Sequence, residues 1–178
     1  GHSRNILEKI GEKGKLIAID KDKAAEDYAK EYFSKYKRFY FEKSNFSDIE
    51  YILEKYNDSK KVNGILLDLG VSSPQLDEAD RGFSFMKEGP IDMRMDTTNK
   101  MTAMLWLQEA EIDEISRVLK KYGEEKYSYR IAKSIKKSIK DKSLKTTLDL
   151  SNIINNCYPR NKLYKKNPST KSFQAIRI

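Results

Sequence analysis

The chain has 178 residues, 38% of them hydrophobic, which suits one large domain or one domain that carries an insertion. It has no run of 18 apolar residues and no stretch that resembles a signal peptide, so we expect a soluble, cytoplasmic protein. Cys157 is the only cysteine and His2 the only histidine, which excludes an internal disulfide and a zinc site built from these residue types. The formal net charge is +8, and no metal site is predicted.

Helices and strands alternate along the first seventy residues. Apolar spacing and end signals predict a helix over 3–10, a strand over 15–19, a helix over 23–36, a strand over 38–42, a helix opened by a capping box at 47–50 and a strand over 62–68. Strands separated by helices of this length are typical of a parallel sheet with helices on both faces. The predicted fold class is therefore a doubly wound α/β fold.

Beyond residue 100 the pattern becomes purely helical. Helical spacing predicts helices over 101–110, 112–122, 126–140 and 148–157, with no convincing strand between them. In the third of these helices the apolar residues Ile131, Ile135 and Ile139 predict one face that packs inward. We therefore expect a helical module, with residues 70–100 as the only candidate boundary between the two halves.

The positive charge is concentrated in this helical half. Residues 1–100 hold 18 lysines and arginines against 19 acidic residues, whereas residues 117–166 hold 15 against four. Such asymmetry favours contact with a polyanion, most simply nucleic acid. The alternative is a solvated, lysine-rich helix surface, and charge alone leaves both interpretations open.

Polar residues follow the predicted strands where a ligand would bind in an open α/β sheet. Asp20 ends one strand and could accept both hydroxyl hydrogens of a ribose, and the loop 45–48 offers an aromatic ring and polar groups to an adenine. Gly1 precedes the first helix, and Asp68 ends the last predicted strand. Each signal alone is more often structural, for example an aspartate that caps the next helix. Together they favour a nucleoside site.

Longer motifs narrow the interpretation. The chain contains Asp68-Leu-Gly-Val-Ser-Ser-Pro-Gln75, Asp80-Arg-Gly-Phe-Ser-Phe85 and Gly89-Pro-Ile-Asp-Met-Arg-Met-Asp96. Shorter ones include Gly1-His-Ser-Arg4, Tyr122-Gly-Glu-Glu125 and Ser172-Phe-Gln-Ala-Ile-Arg-Ile178. These motifs span nearly the whole chain and closely resemble the RsmH (MraW) family of S-adenosylmethionine-dependent ribosomal RNA methyltransferases.

The resemblance implies a Rossmann-like, S-adenosylmethionine-dependent methyltransferase domain with an inserted all-helical domain. It further implies methylation of the N4 exocyclic amine of a cytosine in the decoding region of small-subunit ribosomal RNA. The cofactor, S-adenosylmethionine, would contact the family's motif positions, which here are Gly1, His2, Asp20, Phe46, Asp68 and Gln75.

The exocyclic amine of cytosine is a poor nucleophile, so acceptors must hold its hydrogens. Many amino-methyltransferases use an Asp/Asn/Ser-Pro-Pro-aromatic loop for this, and the stretch 72–75 resembles a departure from it. Ser73 and Pro74 are therefore the candidates for positioning the amine, because proline fixes the turn. Phe83 or Phe85 could stack on the base, although a phenylalanine in a loop more often forms a small local core.

The target base must leave its stack, and basic helices could hold the flanking phosphates. The candidate phosphate contacts, each of which could instead be a solvated surface residue, are Lys120, Lys121, Lys126, Arg130, Lys133, Lys136 and Lys137.

The resemblance predicts three segments: a cofactor-binding domain over 1–96, a helical insertion over 97–165 and a return to the first domain over 166–178. It also implies a strand and glycine-rich loop before Gly1 and further strands after Ile178, so we expect a piece of a longer enzyme. Two alternatives stay open. One is a catalytically inactive module that binds RNA or the ribosome, and the other is a nucleotide-dependent oxidoreductase, for which no dinucleotide glycine fingerprint is visible.

Overall fold

The computed structural model describes residues 1–56, 61–159, 164 and 167–178 and has an α/β fold, as predicted. These residues group into two compact units. The first contains residues 1–68 and 95–98, and the second contains residues 69–94 and 99–178. The predicted boundaries at residues 96 and 165 concern membership of a methyltransferase domain and stay predictions.

The first unit is built around a small parallel sheet. Its regular elements are α1 (His2–Lys9), β1 (Leu16–Asp20), α2 (Lys23–Phe33), β2 (Phe39–Lys43) and α3 (Ile49–Tyr56). β1 and β2 pair in parallel, with Leu16 opposite Phe39 and Asp20 opposite Lys43. The predicted strand–helix–strand unit is confirmed, with each strand starting and ending one residue later than expected.

Local chemistry explains where α2 begins and how it packs. The buried carboxylate of Asp22 accepts a hydrogen bond from the backbone N–H of Ala24 and caps the helix. At the other end Phe33 is buried, and its ring stacks on that of Phe39 with centroids 4.5 Å apart. The cap therefore fixes where the helix begins, and the Phe33–Phe39 contact packs its last turn on the sheet.

The strand predicted over 62–68 is wrong. Among the described residues the sheet has only two strands, β1 and β2, and residues 61–70 are all exposed and in no strand. Ile65, Leu66 and Leu67 are each about three-fifths exposed (62%, 59% and 61%). Their apolar character is that of a buried strand, but a strand also needs a neighbour for its N–H and C=O groups.

The second unit is helical. Its helices are α4 (Ser73–Asp77), α5 (Ala103–Glu109), α6 (Ile112–Gly123), α7 (Ser128–Lys140), α8 (Thr147–Asn156) and α9 (Ser169–Ile176). The four helices predicted beyond residue 100 are confirmed, with ends that differ by at most two residues. α9 is not among the predicted elements. No helix in the described part of the chain is both long and apolar enough to cross a membrane.

The core of the second unit forms where the apolar faces of α6, α7, α8 and α9 meet. The fully buried side chains in it include Ile115, Leu119, Ile131, Ile135, Leu150, Ile154 and Phe173. α6 and α9 come close together at Gly123, where a Cβ atom would lie 2.6 Å from the carbonyl oxygen of Lys171. Ile131 and Ile135 confirm the predicted inward face of α7, and Ile139 packs against the same core while partly buried.

A buried carboxyl group joins three parts of this unit. Glu125, between α6 and α7, is 2% exposed and accepts a hydrogen bond from the backbone N–H of Tyr127 at 3.0 Å. Its other oxygen accepts hydrogen bonds from the hydroxyls of Tyr158, just after α8, and Ser172, on α9. Burial and the hydrogen bond to Glu125 raise the pKa of Tyr158, so its phenol stays protonated and donates.

Replacing Glu125 by alanine should lower the free energy of unfolding by about 3 kcal/mol, because three buried donors lose their acceptor. Urea denaturation followed by circular dichroism measures the change. The matched control is Glu124→Ala: this neighbouring side chain is 87% exposed, so its loss should change stability by less than about 0.5 kcal/mol. Equal effects of the two substitutions would contradict the structural role of Glu125.

Candidate functional site

Asp20 lies at the carboxyl end of β1 and is exposed. One of its carboxylate oxygens accepts a hydrogen bond from the backbone N–H of Asp22 at 2.9 Å. The other oxygen has no partner among the residues the structure describes. Helix capping, the competing role for Asp20, belongs instead to Asp22. The exposed oxygen of Asp20 can therefore accept a hydrogen bond from a ligand.

The next loop follows the carboxyl end of β2, directly beside Asp20. The backbone N–H of Ser44 donates to the carbonyl of Asp20 at 3.1 Å, which ties the two strand ends together. The predicted capping box at 47–50 is wrong, because Asn45 caps a short 3₁₀ helix, Phe46–Asp48, that leads into α3. Phe46 begins this turn with a ring that is 54% exposed, so one aromatic face is available to a planar ligand.

His2 and Asp68 are brought together from distant parts of the sequence. Nδ1 of His2, in the first turn of α1, lies 3.0 Å from Oδ2 of Asp68, and both side chains are largely exposed. Gly1 precedes this turn and is also exposed. The structure thus places Gly1, His2, Asp20, Phe46 and Asp68 in the first unit.

Gln75 lies in the second unit and is only 5% exposed. Its side-chain oxygen accepts a hydrogen bond from the backbone N–H of Ser72 at 2.9 Å, while the hydroxyl of Ser72 accepts one from the backbone N–H of Gln75. This is a capping box at the start of α4, and the pattern Ser-x-x-Gln in the sequence is its usual signature. Ser73 and Pro74 form the exposed first turn that this box holds.

The polar stretch after α4 is a densely bonded loop. The guanidinium of Arg94 forms a bidentate pair with Asp92, at 2.7 Å and 2.6 Å. The hydroxyl of Thr147, on α8, accepts a hydrogen bond from the N–H of Gly89 and donates one to the carbonyl of Lys87. A Cβ atom at Gly89 would lie 1.9 Å from the carbonyl oxygen of Ala79, so only glycine allows this approach.

Phe83 and Phe85 belong to the core rather than to a base-stacking surface. Phe83 is 0% exposed, with the guanidinium of Arg81 5.6 Å from its ring centroid. Phe85 is partly buried and meets the ring of Phe173 edge to face, with centroids 5.5 Å apart. The local-core alternative is therefore correct for both residues, because each ring already has packing partners.

The predicted basic residues lie on or beside α6 and α7. Those with exposed side chains are Lys120, Lys121, Lys126, Arg130, Lys133 and Lys137. Lys136 differs, because its ammonium donates to the carbonyl of Gln108 at 2.8 Å, at the C-terminal end of α5. None of the seven forms an ion pair with a residue that the structure describes. The surface they form has a net positive charge, since residues 117–166 hold 15 basic and four acidic residues.

A groove of about 360 Å³ runs beside this surface. Arg130, Ser134 and Lys137 line it from α7, Asp141 from just after α7, and Asn156 from α8. Sequence reasoning missed Ser134 and Asn156. Helical periodicity gives the face of each helix separately, but not which polar residues of two helices meet.

Comparison with known proteins places the chain in a family. The family model described as the MraW methylase family matches residues 1–178. The chain belongs to the MraW methylase family. Among curated relatives, it is 46% identical over 178 residues to "Ribosomal RNA small subunit methyltransferase H" of Hydrogenovibrio crunogenus. It is 48% identical to the protein of the same name from Legionella pneumophila strain Corby.

The identity to both relatives extends over 100% of this chain, but over only 56% of the first and 58% of the second. A relative from Alteromonas mediterranea is 47% identical over 182 residues, and this match covers 100% of the present chain and 56% of the relative. The chain therefore spans a little over half the length of the curated relatives that it matches.

The Asp92–Arg94 pair should make the stability of the second unit depend on pH. Burial raises the pKa of Asp92, but hydrogen bonds from the side chain and backbone of Arg94 outweigh it and hold the pKa below its usual value. Arg94→Met should therefore cost about 1.5–3 kcal/mol near pH 7. The unfolded chain binds a proton to Asp92 first as the pH falls, so the difference should shrink below pH of about 4.

Urea unfolding at a series of pH values measures this difference. The control is Lys87→Met, which removes the largely exposed pair with Asp77 and should cost no more than about 1 kcal/mol. An Arg94→Met deficit that is constant from neutral pH to pH of about 3 would show that the side chain stabilises the loop without its charge.

Proposed function

We propose that the chain is the part of an S-adenosylmethionine-dependent methyltransferase that binds the cofactor and small-subunit ribosomal RNA. The proposed reaction is transfer of a methyl group to the N4 amine of a cytosine in the decoding region. Membership of the MraW methylase family along all 178 residues carries this proposal. The relatives' name supports the ribosomal RNA substrate, and the polar carboxyl edge of β1 and β2 supports a nucleoside-containing cofactor.

The residues at that edge fit the nucleoside part of the cofactor in a Rossmann-like arrangement. The exposed oxygen of Asp20 would accept a ribose hydroxyl, and the exposed ring of Phe46 would cover an adenine face. We further propose Gly1, His2 and Asp68 as contacts, with the His2–Asp68 pair offering a polar edge. Gln75 is the weakest member of the set, because its side-chain oxygen already closes the capping box of α4.

When bound, S-adenosylmethionine would supply the methyl group on a positively charged sulfur. The work left to the protein is to bring the cytosine amine into line and to hold its hydrogens on acceptors. Ser73 offers an exposed hydroxyl for this purpose. Pro74 fixes the turn, while its own carbonyl is occupied by the backbone N–H of Glu78 at 2.9 Å. We therefore propose Ser73 as the acceptor and Pro74 as the residue that positions it.

Phosphates of the RNA would lie on the exposed basic residues of α6 and α7. These residues form no ion pair with a described acidic residue, and their local excess of positive charge favours a polyanion by release of its counterions. Lys136 would contribute less than the other six, because its ammonium holds the end of α5.

The reaction is tested with the full-length protein, small-subunit ribosomal RNA and methyl-labelled S-adenosylmethionine. Nucleoside mass spectrometry should find N4-methylcytidine, and Ser73→Ala should lower the rate more than it lowers RNA affinity. Label in another nucleoside would refute the assignment of the N4 amine. Bound RNA without any cofactor binding would favour the inactive RNA-binding module.

Asp20→Ala should weaken S-adenosylmethionine binding by about 1.5–3 kcal/mol, the range of hydrogen bonds to a charged group. Isothermal titration calorimetry on the full-length protein measures the affinity. Asp27→Ala is the matched control, since this exposed carboxylate on α2 pairs only with Lys23 among the described residues. If Asp20→Ala binds S-adenosylmethionine as tightly as the control does, the role of Asp20 is only to accept the hydrogen bond from the backbone N–H of Asp22.

Reversing the charge of Lys133 and Lys137 together should weaken RNA binding and lower the slope of log affinity against log salt. Each lost phosphate contact on single-stranded RNA lowers that slope by about 0.7. The control exchanges two other exposed lysines, Lys30 and Lys100, for glutamate. A slope that matches the control would mean that the α7 lysines are only solvated.

A further inference from the structure

The first unit has a second polar cleft, at the edge of the sheet opposite to Asp20. It has a volume of about 460 Å³ and lies where β1 and β2 begin. The five-residue strands separate the two edges by roughly 13 Å, at about 3.3 Å per residue. The residues that line it are Glu12, Lys13, Gly14, Lys15, Lys35, Tyr36, Lys37, Arg38 and Tyr40. We call it the Tyr36 cleft.

Two loops form the Tyr36 cleft, and Arg38 ties them together. Its guanidinium donates to the carbonyls of Leu7, at 2.7 Å, and Gly11, at the end of α1, while its own carbonyl accepts from the N–H of Leu16 at 2.9 Å. The loop after α1 and the loop after α2 are thereby held side by side. Arg38 thus has a structural role, because its hydrogen bonds hold together the two loops that form the cleft.

The four lysines of the cleft are unpaired, unlike four of the other lysines in the same unit. Lys13, Lys15, Lys35 and Lys37 form no ion pair or side-chain hydrogen bond with any residue in the described ranges, and Glu12 is the only acid in the lining. In contrast Lys23, Lys30, Lys43 and Lys55 all pair with carboxylates. Placing four like charges around one cleft costs electrostatic free energy, which a bound anion would recover.

The cleft also offers aromatic surface. Tyr36 and Tyr40 are half-buried, and their rings pack against those of Phe33 and Tyr56. The ammonium of Lys35 lies 5.4 Å from the ring centroid of Tyr36, and the ring of Tyr40 packs on that of Tyr56 at 4.9 Å. Cations that track phosphates beside fixed aromatic rings are the chemistry of single-stranded nucleic acid binding, in which bases stack on the rings. A free phosphate ion would use only the lysines.

We propose that the Tyr36 cleft binds a single-stranded segment of RNA, with the four lysines on its phosphates and Tyr36 against a base. The proposal rests on the proposed RNA substrate and adds a contact separate from both the cofactor edge and the α7 lysines. Because it lies at the opposite edge of the sheet from Asp20, RNA bound there leaves the cofactor residues accessible.

The test measures binding of a fluorescently labelled oligouridylate to the full-length protein by anisotropy at several salt concentrations. Lys13→Glu with Lys37→Glu should weaken binding and lower the salt slope by about 1.4, or 0.7 per lost contact. Tyr36→Leu should weaken it about fivefold or more through lost stacking, whereas Tyr36→Phe should bind as the unaltered protein does. The S-adenosylmethionine affinity should stay unchanged in all three. Thermal unfolding should stay unchanged in the lysine and Tyr36→Phe variants, whereas Tyr36→Leu loses packing against Phe33 and should unfold at a slightly lower temperature.

The Lys30→Glu, Lys100→Glu protein again serves as the charge-matched control. The proposal would be overturned if the Lys13, Lys37 variant had the same RNA affinity and the same salt slope as this control. If only the Lys133, Lys137 variant binds RNA more weakly, the cleft proposal is overturned and the proposed function is kept. If the unaltered protein binds no RNA, both proposals are overturned. Equal binding by Tyr36→Leu and Tyr36→Phe, with competition by millimolar inorganic phosphate, would show a simple phosphate site instead of an RNA contact.

Discussion

The second unit depends on one buried carboxyl group. Glu125 accepts hydrogen bonds from the chain between α6 and α7, from Tyr158 after α8 and from Ser172 on α9, so a single side chain fixes the ends of several helices. A buried carboxyl group is costly unless its oxygens are satisfied, which is why all three donors are needed. The same hydrogen bonds join the connection between α6 and α7, the two helices that carry the basic residues, to α9 and to the chain after α8.

The polar stretch over 79–94 owes its composition to close backbone approaches. Gly82 has a φ of 71°, and a Cβ atom there would lie 2.2 Å from the carbonyl oxygen of Pro90. Gly89 is equally crowded, and Thr147 satisfies the backbone on either side of it. Glycine, proline and aspartate are therefore required here to build the loop, before any contact with a ligand.

The sequence predicts the local features of this chain well and the non-local ones poorly. The helices beyond residue 100 follow from periodicity, which depends only on neighbouring residues. The strand predicted over 62–68 is wrong because strand pairing depends on a distant partner. The sequence left two roles open for Phe83 because contact with other segments decides whether its ring is buried. The cap at Asn45 and the capping box at Ser72 are local patterns that sequence reasoning missed, since a capping box was predicted at 47–50 instead. The contact between His2 and Asp68, which are 66 residues apart in the sequence, was not predicted either.

The two edges of the β1–β2 sheet differ in electrostatic character, and this difference bears on how one small unit could serve the two proposed ligands. The carboxyl edge carries the acidic residues Asp20, Asp22 and Asp48 and also the basic residues Lys21, Lys23 and Lys43, so its formal charges cancel. The amino edge has an excess of positive charge, because Glu12 is the one acid beside its lysines, Lys13, Lys15, Lys35 and Lys37. Attraction at the amino edge alone would orient a polyanion relative to the sheet before any base enters the proposed site.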